Sequence, residues 1–289
     1  MFFIINYKSF TMKNILLSFL LLSTICTFSQ KKEKIKGSKV VVIQQKKVEN
    51  FTTVEILNDI EISLIKGDKC GLELEADDNL QDVLDLRMNG TMLIISFAKE
   101  VSSSKKFNLR LTYTSDLSSI TAKEKSKITA LETVKLDNIK FVGHDNSKLM
   151  LNIDSKNCTV SLNDKSKTEL NAKAENFNLD LSKSAQVKVL VSAANFKCDL
   201  YQDAEAKLDG DVINMKVRLD NDSKFDGKKL NAKNVELTTE ASAVCAINAE
   251  TLINISASGK SEIELFGNAK IEIAKFSGTS KLLKKEGKN

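Results

Sequence analysis

Residues 174–184 carry the sequence AENFNLDLSKS, and residues 193–203 carry AANFKCDLYQD. Both stretches contain Asn-Phe followed by an apolar residue at every second position, and they begin nineteen residues apart. Alternation of apolar and polar residues is typical of a β-strand with one buried face. Near-identity at a fixed spacing therefore predicts an internal repeat built from short strands.

Two sets of like residues extend this repeat along the chain. Small residues recur every nineteen residues at Ser147, Ser166, Ala185, Ala204, Ser223, Ser242, Ser261 and Ser280. Asparagines recur at the same interval at Asn138, Asn157, Asn176, Asn195 and Asn214. A unit of this size cannot bury an apolar face alone, whereas stacked units share one continuous core.

These patterns predict an all-β fold, a right-handed parallel β-helix or β-solenoid with two sheets and about 19 residues per rung. Parallel crossovers strongly prefer the right hand, and equivalent strands should lie about 4.8 Å apart. The asparagines should form an amide ladder along one corner, and the small residues should fill a tight corner. A bulge or lengthened corner is expected near residues 226–231, because Asn234 comes one residue late.

The first residues have the pattern of a targeting segment. Residues 1–29 are predicted to be a signal peptide, with a charged start at Met12-Lys13-Asn14, an apolar run and cleavage after Ser29. The true start could be Met12. The apolar run from Ile15 to Ile25 is too short for a transmembrane helix, which needs about 20 residues.

The rest of the chain divides into two predicted regions. Residues 30–118 lack the nineteen-residue repeat and are expected to form an N-terminal antiparallel β region that caps the solenoid, with a hairpin turn at Asn89-Gly90. Residues 119–289 are expected to form the parallel β-solenoid repeats. The charged end of the chain, residues 282–289, should protect the terminal rung from pairing with another chain.

Four cysteines follow the predicted cleavage site, namely Cys70, Cys158, Cys198 and Cys245. Cys158 and Cys198 fall at inward positions two rungs apart, about 9.6 Å, which exceeds the roughly 7 Å that a disulfide allows between Cα atoms. Cys245 lies one place from an inward position and is expected to face solvent. The sequence therefore predicts four free thiols.

Composition disfavours several functional classes. The chain has 289 residues, a formal charge of +5, no tryptophan and one histidine, His144. A single histidine argues against most hydrolase triads and histidine-rich metal sites, and we assign His144 no role. No basic face with aromatic partners is evident, so nucleic acid is not an expected ligand.

One charged constellation could carry chemistry. Asp180, Asp199 and Arg218 are nineteen residues apart at outward positions, beside Lys197 and Lys216. Stacked carboxylates could hold Ca²⁺, and the arginine could abstract a sugar proton, as in polysaccharide lyases of helical fold. The alternative, which we prefer, is a ladder of opposite charges on a solvated sheet face. No catalytic, cofactor-binding or metal-binding residue is assigned.

The region before the repeats carries VENFTTVEILNDIEISLIKGD at residues 48–68 and LELEADDNLQDVLDLRMNGTMLIIS at residues 72–96. With the repeats that follow, this order resembles the putative auto-transporter adhesin, head GIN domain family, over about residues 37–282. Family repeats centre on Gly-Ser-Gly turns, of which SGKSE at Ser258 and SGTSK at Ser277 are the counterparts here. The resemblance implies a helix of pectin-lyase type without catalytic residues, and a role in adhesion.

We therefore expect an exported, non-enzymatic β-solenoid that serves as an adhesin or binding module at the bacterial cell envelope. Its expected partners are surface glycans or proteins, without a cofactor, and its expected location is the periplasm, the outer surface or the extracellular space. Two alternatives stay open, a carbohydrate-active enzyme using the Asp180, Asp199 and Arg218 face and a purely structural envelope protein. The oligomeric state is also open.

Overall fold

The structure of the chain is a computed structural model that describes residues 33–286. The predicted signal peptide at residues 1–29 lies outside the described residues. The strands before residue 118 are β1 (Lys34–Lys36), β2 (Val41–Lys46), β3 (Thr53–Ile56), β4 (Glu61–Lys66), β5 (Gly71–Asp77), β6 (Leu84–Asn89), β7 (Met92–Phe97), β8 (Glu100–Ser103) and β9 (Phe107–Tyr113), with a 3₁₀ turn at Asp78–Leu80. The strands after residue 118 are β10 (Ser119–Ala122), β11 (Lys127–Ala130), β12 (Val134–Lys135), β13 (Asn138–Gly143), β14 (Lys148–Leu162), β15 (Lys167–Leu181), β16 (Gln186–Leu200), β17 (Glu205–Leu219), β18 (Lys224–Thr239), β19 (Val244–Ala257), β20 (Glu262–Phe266), β21 (Lys270–Phe276) and β22 (Lys281–Lys284).

The long strands stack in parallel and form a β-solenoid of about nine turns, with about 19 residues between rungs. In β14, β15 and β16, Asn157 lies opposite Asn176, and Asn176 lies opposite Asn195, which confirms the predicted register. The two strands expected in each rung are joined into one strand of fifteen residues. The alternation of buried and exposed residues shifts phase at residues 175–176, so both halves of β15 contribute side chains to the same core.

The small residues form a fully buried column at the turn between rungs. Its members are Ser126, Ser147, Ser166, Ala185, Ala204, Ser223, Ala243 and Ser261. One predicted member is wrong, because Ser242 is exposed and Ala243 takes its place. The cause is an extra residue in the preceding rung, where Gly227 and Lys228 together lie opposite the single residue Leu208. This is the bulge expected near residues 226–231.

The bulge also explains why the prediction for Cys245 is wrong. Because the rung that contains Phe225 is one residue longer than the rung before it, Cys245 pairs with Phe225 and points into the core, where it is fully buried. Cys158 and Cys198 lie in the core as predicted. All four described cysteines are free.

The buried thiols should be chemically inert in the native state. Burial raises the pKa of Cys158 to about 12 and also raises the pKa values of Cys198 and Cys245, whereas Cys70 is only half-buried. Because the thiolate is the reactive form, we expect iodoacetamide to modify Cys70 alone in the folded chain. After unfolding without reductant, mass spectrometry should count all four alkylated thiols, and two missing alkyl groups would contradict this register.

Each rung closes through a turn residue with left-handed backbone geometry. These residues are Glu124, Asp145, Asp164, Lys183, Gln202, Asn221, Ala241, Gly259 and Gly278. Side chains one rung further on support the turn, since the backbone N–H of Glu124 donates to Asp145 Oδ2 (2.9 Å) and that of Lys183 donates to Gln202 Oε1 (2.9 Å). The left-handed backbone geometry alone would favour glycine at this position. The hydrogen bonds between rungs explain why polar residues occupy it instead.

The N-terminal region extends the solenoid on the side of the first coil that faces away from the later rungs. Strand β3 pairs in parallel with β10, and β4 pairs in parallel with β11, so the coil begins before residue 118. The antiparallel pairs expected here are β2 with β5, β5 with β9, and β6 with β7, the last joined by the turn at Asn89-Gly90. The buried carboxylate of Asp77 fixes this region by accepting the backbone N–H groups of Lys39 (2.9 Å), Lys105 and Lys106 (both 3.2 Å).

Candidate functional site

The predicted charged constellation lies on the second half of three successive rungs. Asp180 of β15 is opposite Asp199 of β16, which is opposite Arg218 of β17. Lys197 and Lys216 are likewise opposite each other in the neighbouring column. The structure thus brings these residues together as expected. The structure differs from the prediction in the exposure of Asp199, which was expected at an outward position but is buried, with 8% of its surface exposed.

The Asp199 carboxylate and the Arg218 guanidinium, the two groups predicted to carry chemistry, both have partners within the protein. Lys197 Nζ lies 2.5 Å from Asp199 Oδ2, so the buried carboxylate has a cationic partner. Arg218 lies 5.8 Å from the ring centre of Tyr201 and pairs with Glu240 at 3.3 Å. Tyr201 and Glu240 together raise the pKa of Arg218. An arginine held in its charged form is poorly suited to remove a proton from a sugar.

Asp180 and Asp199 form a carboxyl pair. Burial, the charge of Asp199 and a hydrogen bond between the two side chains raise the pKa of Asp180, although Lys197 and Lys140 oppose the shift. A neighbouring carboxylate charge disfavours the ionised form of Asp180. With Lys197 on one of them, the pair offers fewer oxygens than the six to eight that Ca²⁺ takes, and residues 33–286 contain no group of three or more His, Cys, Asp or Glu side chains suited to a metal.

Replacing Asp180 with asparagine should make the fold more stable at neutral pH, by about 1 kcal/mol, the value of a typical hydrogen bond. The pKa of Asp180 is raised in the folded state, so the stability it provides is complete below its ordinary pKa of 3.8 and is lost as pH rises through the folded pKa. The neutral amide does not suffer this loss. Urea unfolding at several pH values should therefore show an advantage for Asp180→Asn that grows with pH.

The matched variant Asp199→Asn should have the opposite effect. It leaves Lys197 without its carboxylate partner, and charge-assisted hydrogen bonds contribute roughly 1.5–3 kcal/mol. A destabilised Asp180→Asn at neutral pH would contradict the raised pKa of Asp180.

A small hollow of about 280 Å³ adjoins this pair. Its lining includes His144, Ser161, Asn163, Asp180 and Tyr201. The structure thus places His144 in the same hollow as Asp180, although we assigned it no role from the sequence. The sequence analysis also did not identify Tyr201 as a residue of this site. Its position two residues after Asp199, at the same corner, could have indicated it.

An exposed ladder of amides follows one corner of the solenoid, as predicted. Each Nδ2 donates to the Oδ1 of the asparagine one rung earlier, at 2.7 to 3.1 Å, through Asn138, Asn157, Asn176, Asn195, Asn214 and Asn234. Leu252 ends the ladder. We call the adjoining hollow of about 510 Å³ the amide groove; Asn195, Asn214, Lys197 and Lys216 are among its residues.

Another hollow crosses the first half of the rungs and has a volume of about 760 Å³. We call it the Met150 groove; its residues include Met150, Glu169, Lys188, Leu190 and Lys207. Met150 and Leu190 are exposed apolar side chains. Equivalent positions on four successive rungs carry Met150, Glu169, Lys188 and Lys207, and Leu190 lies on the same rung as Lys188. The groove therefore combines apolar contact area with charge along the solenoid axis.

Comparison with known families identifies the group to which the fold belongs. The profile of the family described as putative auto-transporter adhesin, head GIN domain, matches residues 50–190 and 167–269, which is more than half of the chain. The chain belongs to this head GIN domain family. The match agrees with the resemblance expected from residues 48–68 and 72–96.

Solved structures share the fold of this head GIN domain chain. A putative adhesin from Parabacteroides merdae matches with a TM-score of 0.61 and 15% identity, covering 87% of this chain and 99% of that one. A putative adhesin from Parabacteroides distasonis has a TM-score of 0.63 and 14% identity, with 87% and 100% coverage. A putative lipid binding protein from the latter organism has a TM-score of 0.61 and 14% identity, with 87% and 99% coverage. No curated protein matches the head GIN domain chain.

The described part of the head GIN domain chain, residues 33–286, contains no helix long and apolar enough to cross a membrane.

Proposed function

We propose that the chain is an exported, non-enzymatic adhesin or binding module of the bacterial cell envelope, and that it binds surface glycans or proteins along the faces of its solenoid. The family and the adhesins that share the fold support a binding role. The signal-peptide pattern of residues 1–29 supports export.

The Met150 groove is the observation on which the proposal rests. It spans several rungs, and equivalent strand positions with different side chains recur along it at the rung spacing of about 4.8 Å. An extended ligand can therefore make one weak contact on each of several rungs, and linked weak contacts produce a much higher combined affinity. Exposed Met150 and Leu190 supply apolar contacts, and Lys207 can bind acidic or hydroxyl groups, whereas Lys188 pairs with Glu169 at 3.1 Å.

The polysaccharide-lyase alternative receives less support. Its proposed base, Arg218, is paired with Glu240 and packed on Tyr201. Its proposed Ca²⁺ ligand, Asp199, is buried and paired with Lys197. The structural-protein alternative makes a different prediction from ours, namely that no envelope ligand binds.

The test is binding of the chain without residues 1–29 to arrays of bacterial glycans and to isolated envelope proteins. We expect micromolar binding that falls at least tenfold in the double variant Met150→Asp/Leu190→Asp. The matched control is Ile213→Asp, which changes an equally exposed apolar residue outside the Met150 groove. Unsaturated sugar products would identify a lyase, and the absence of any bound ligand would favour a purely structural role; either result contradicts the proposal.

A further inference from the structure

The last rung of the solenoid exposes side chains that all earlier rungs bury. Ile271 and Ile273 of β21 lie directly beyond Ile253 and Ile255, which are fully buried, yet they are 39% and 54% exposed. Phe276, beyond buried Ala257, is 43% exposed. The core columns therefore end in a contiguous apolar surface, and such surfaces on otherwise polar proteins commonly mark interaction sites.

The same rung carries an open backbone edge. Among residues 33–286, β21 pairs with β19, and β22 pairs with β20; neither has a strand on its other side. An edge strand presents unpaired N–H and C=O groups that can accept another strand. The N-terminal end differs, because β3 and β4 are each followed by further paired strands.

Charge at this end selects the kind of strand that can bind. The last rung carries Lys270, Lys275, Lys281, Lys284 and Lys285 against Glu272 and Glu286. Two of its lysines have carboxylate partners, in the pairs Lys270–Glu272 (2.7 Å) and Lys285–Glu264 (3.1 Å). Lys284 occupies a position that is apolar in earlier rungs, and its Nζ donates to the carbonyl oxygen of Gly267. The excess of cations opposes pairing with a second copy of the same end.

We propose that the open C-terminal rung, β21 and β22, accepts an extended strand of a partner protein in which apolar residues alternate with Asp or Glu. The strand adds to the free edge, so that its main chain completes the unpaired hydrogen bonds, as in other cases of β-strand addition. Its apolar side chains cover Ile271, Ile273 and Phe276, and its carboxylates pair with Lys275 and Lys281. Lysines on the edge thus discourage self-pairing while admitting an acidic segment.

This inference goes beyond the proposed function, because it involves neither the Met150 groove nor the amide groove. It is tested with the chain without residues 1–29 and two labelled peptides as long as β21, seven residues. One peptide alternates valine with glutamate, and the other alternates valine with lysine. Fluorescence anisotropy at low salt should show the glutamate peptide binding at least tenfold more tightly, with an affinity that falls as salt screens the lysines.

Ile273→Asp should weaken binding of the glutamate peptide at least tenfold without loss of strand content in circular dichroism, since Ile273 is exposed. The matched control is Leu190→Asp, a comparably exposed residue of the Met150 groove, which should bind the peptide normally. Absent binding, equal binding of both peptides, or binding unaffected by Ile273→Asp overturns the proposal. A dimer in light scattering that Ile273→Asp converts to a monomer also overturns it, in favour of a second copy. Glycan binding is a separate readout of the grooves, so the two proposals can fail independently.

Discussion

Gly210→Ala is expected to destabilise the chain by about 2–6 kcal/mol. Gly210 has a φ of +120°, a region that side chains rarely adopt, and strained backbone of this kind costs about 1–3 kcal/mol. An added Cβ would also overlap the carbonyl oxygen of Val191 in the adjacent rung. The rungs would have to separate locally, which adds about 1–3 kcal/mol, the usual range for overpacking.

The effect should be visible as a lower urea midpoint in strand circular dichroism. Gly71→Ala is the matched control, because its φ is unexceptional and an added Cβ would lie 3.8 Å from the nearest atoms, on Thr112. That substitution should change stability by no more than about 0.5 kcal/mol. Equal stabilities for the two variants would show that the backbone at Gly210 does not have the geometry described above.

Phe196→Ala is expected to cost about 3–5 kcal/mol, the range for removing a buried phenylalanine. Phe196 is buried and stacks on Phe177 of the previous rung, with ring centres 5.7 Å apart and planes 18° apart. Its neighbour on the following rung is Met215. Truncation therefore leaves a cavity between rungs and removes an aromatic contact at once.

The control for this prediction is Phe276→Ala at the open end. Phe276 also lies in an inward column, but the last rung leaves it exposed, so the loss should be below about 1 kcal/mol. Denaturation should be followed by two probes, because repeat proteins need not unfold in one step. Similar losses for both variants would mean that the central rungs are packed no better than the end.

The fold was predictable because one feature of the sequence repeats. Asn157, Asn176 and Asn195 are spaced by the length of one rung, and stacking at that spacing determines the register and the ladder together. Ser242 and Cys245 were misplaced because a single inserted residue shifts every later position in its rung. Asn234 follows Asn214 by one residue more than the usual spacing, which indicated an insertion but did not show that it lies at Gly227 and Lys228.

The start of the coil was harder to predict for a topological reason. Strand β4 pairs with β11, so Glu61 lies opposite Lys127. The strands of the N-terminal region are inserted between these partners, which hides the regular spacing. At the charged face, the sequence predicted the column of Asp180, Asp199 and Arg218. It did not predict side-chain directions, namely that Lys197 covers Asp199 and that Arg218 packs on Tyr201.

The uniform register of β14 to β17 has a consequence for how such a protein can change over evolutionary time. Among the described residues, β15 and β16 each pair only with the strand before and the strand after, with a constant offset. An in-frame duplication or deletion of one whole coil therefore joins surfaces that already fit, and leaves both extremities of the molecule intact. The length of the solenoid can therefore change in steps of about 4.8 Å without any change to the contacts between rungs.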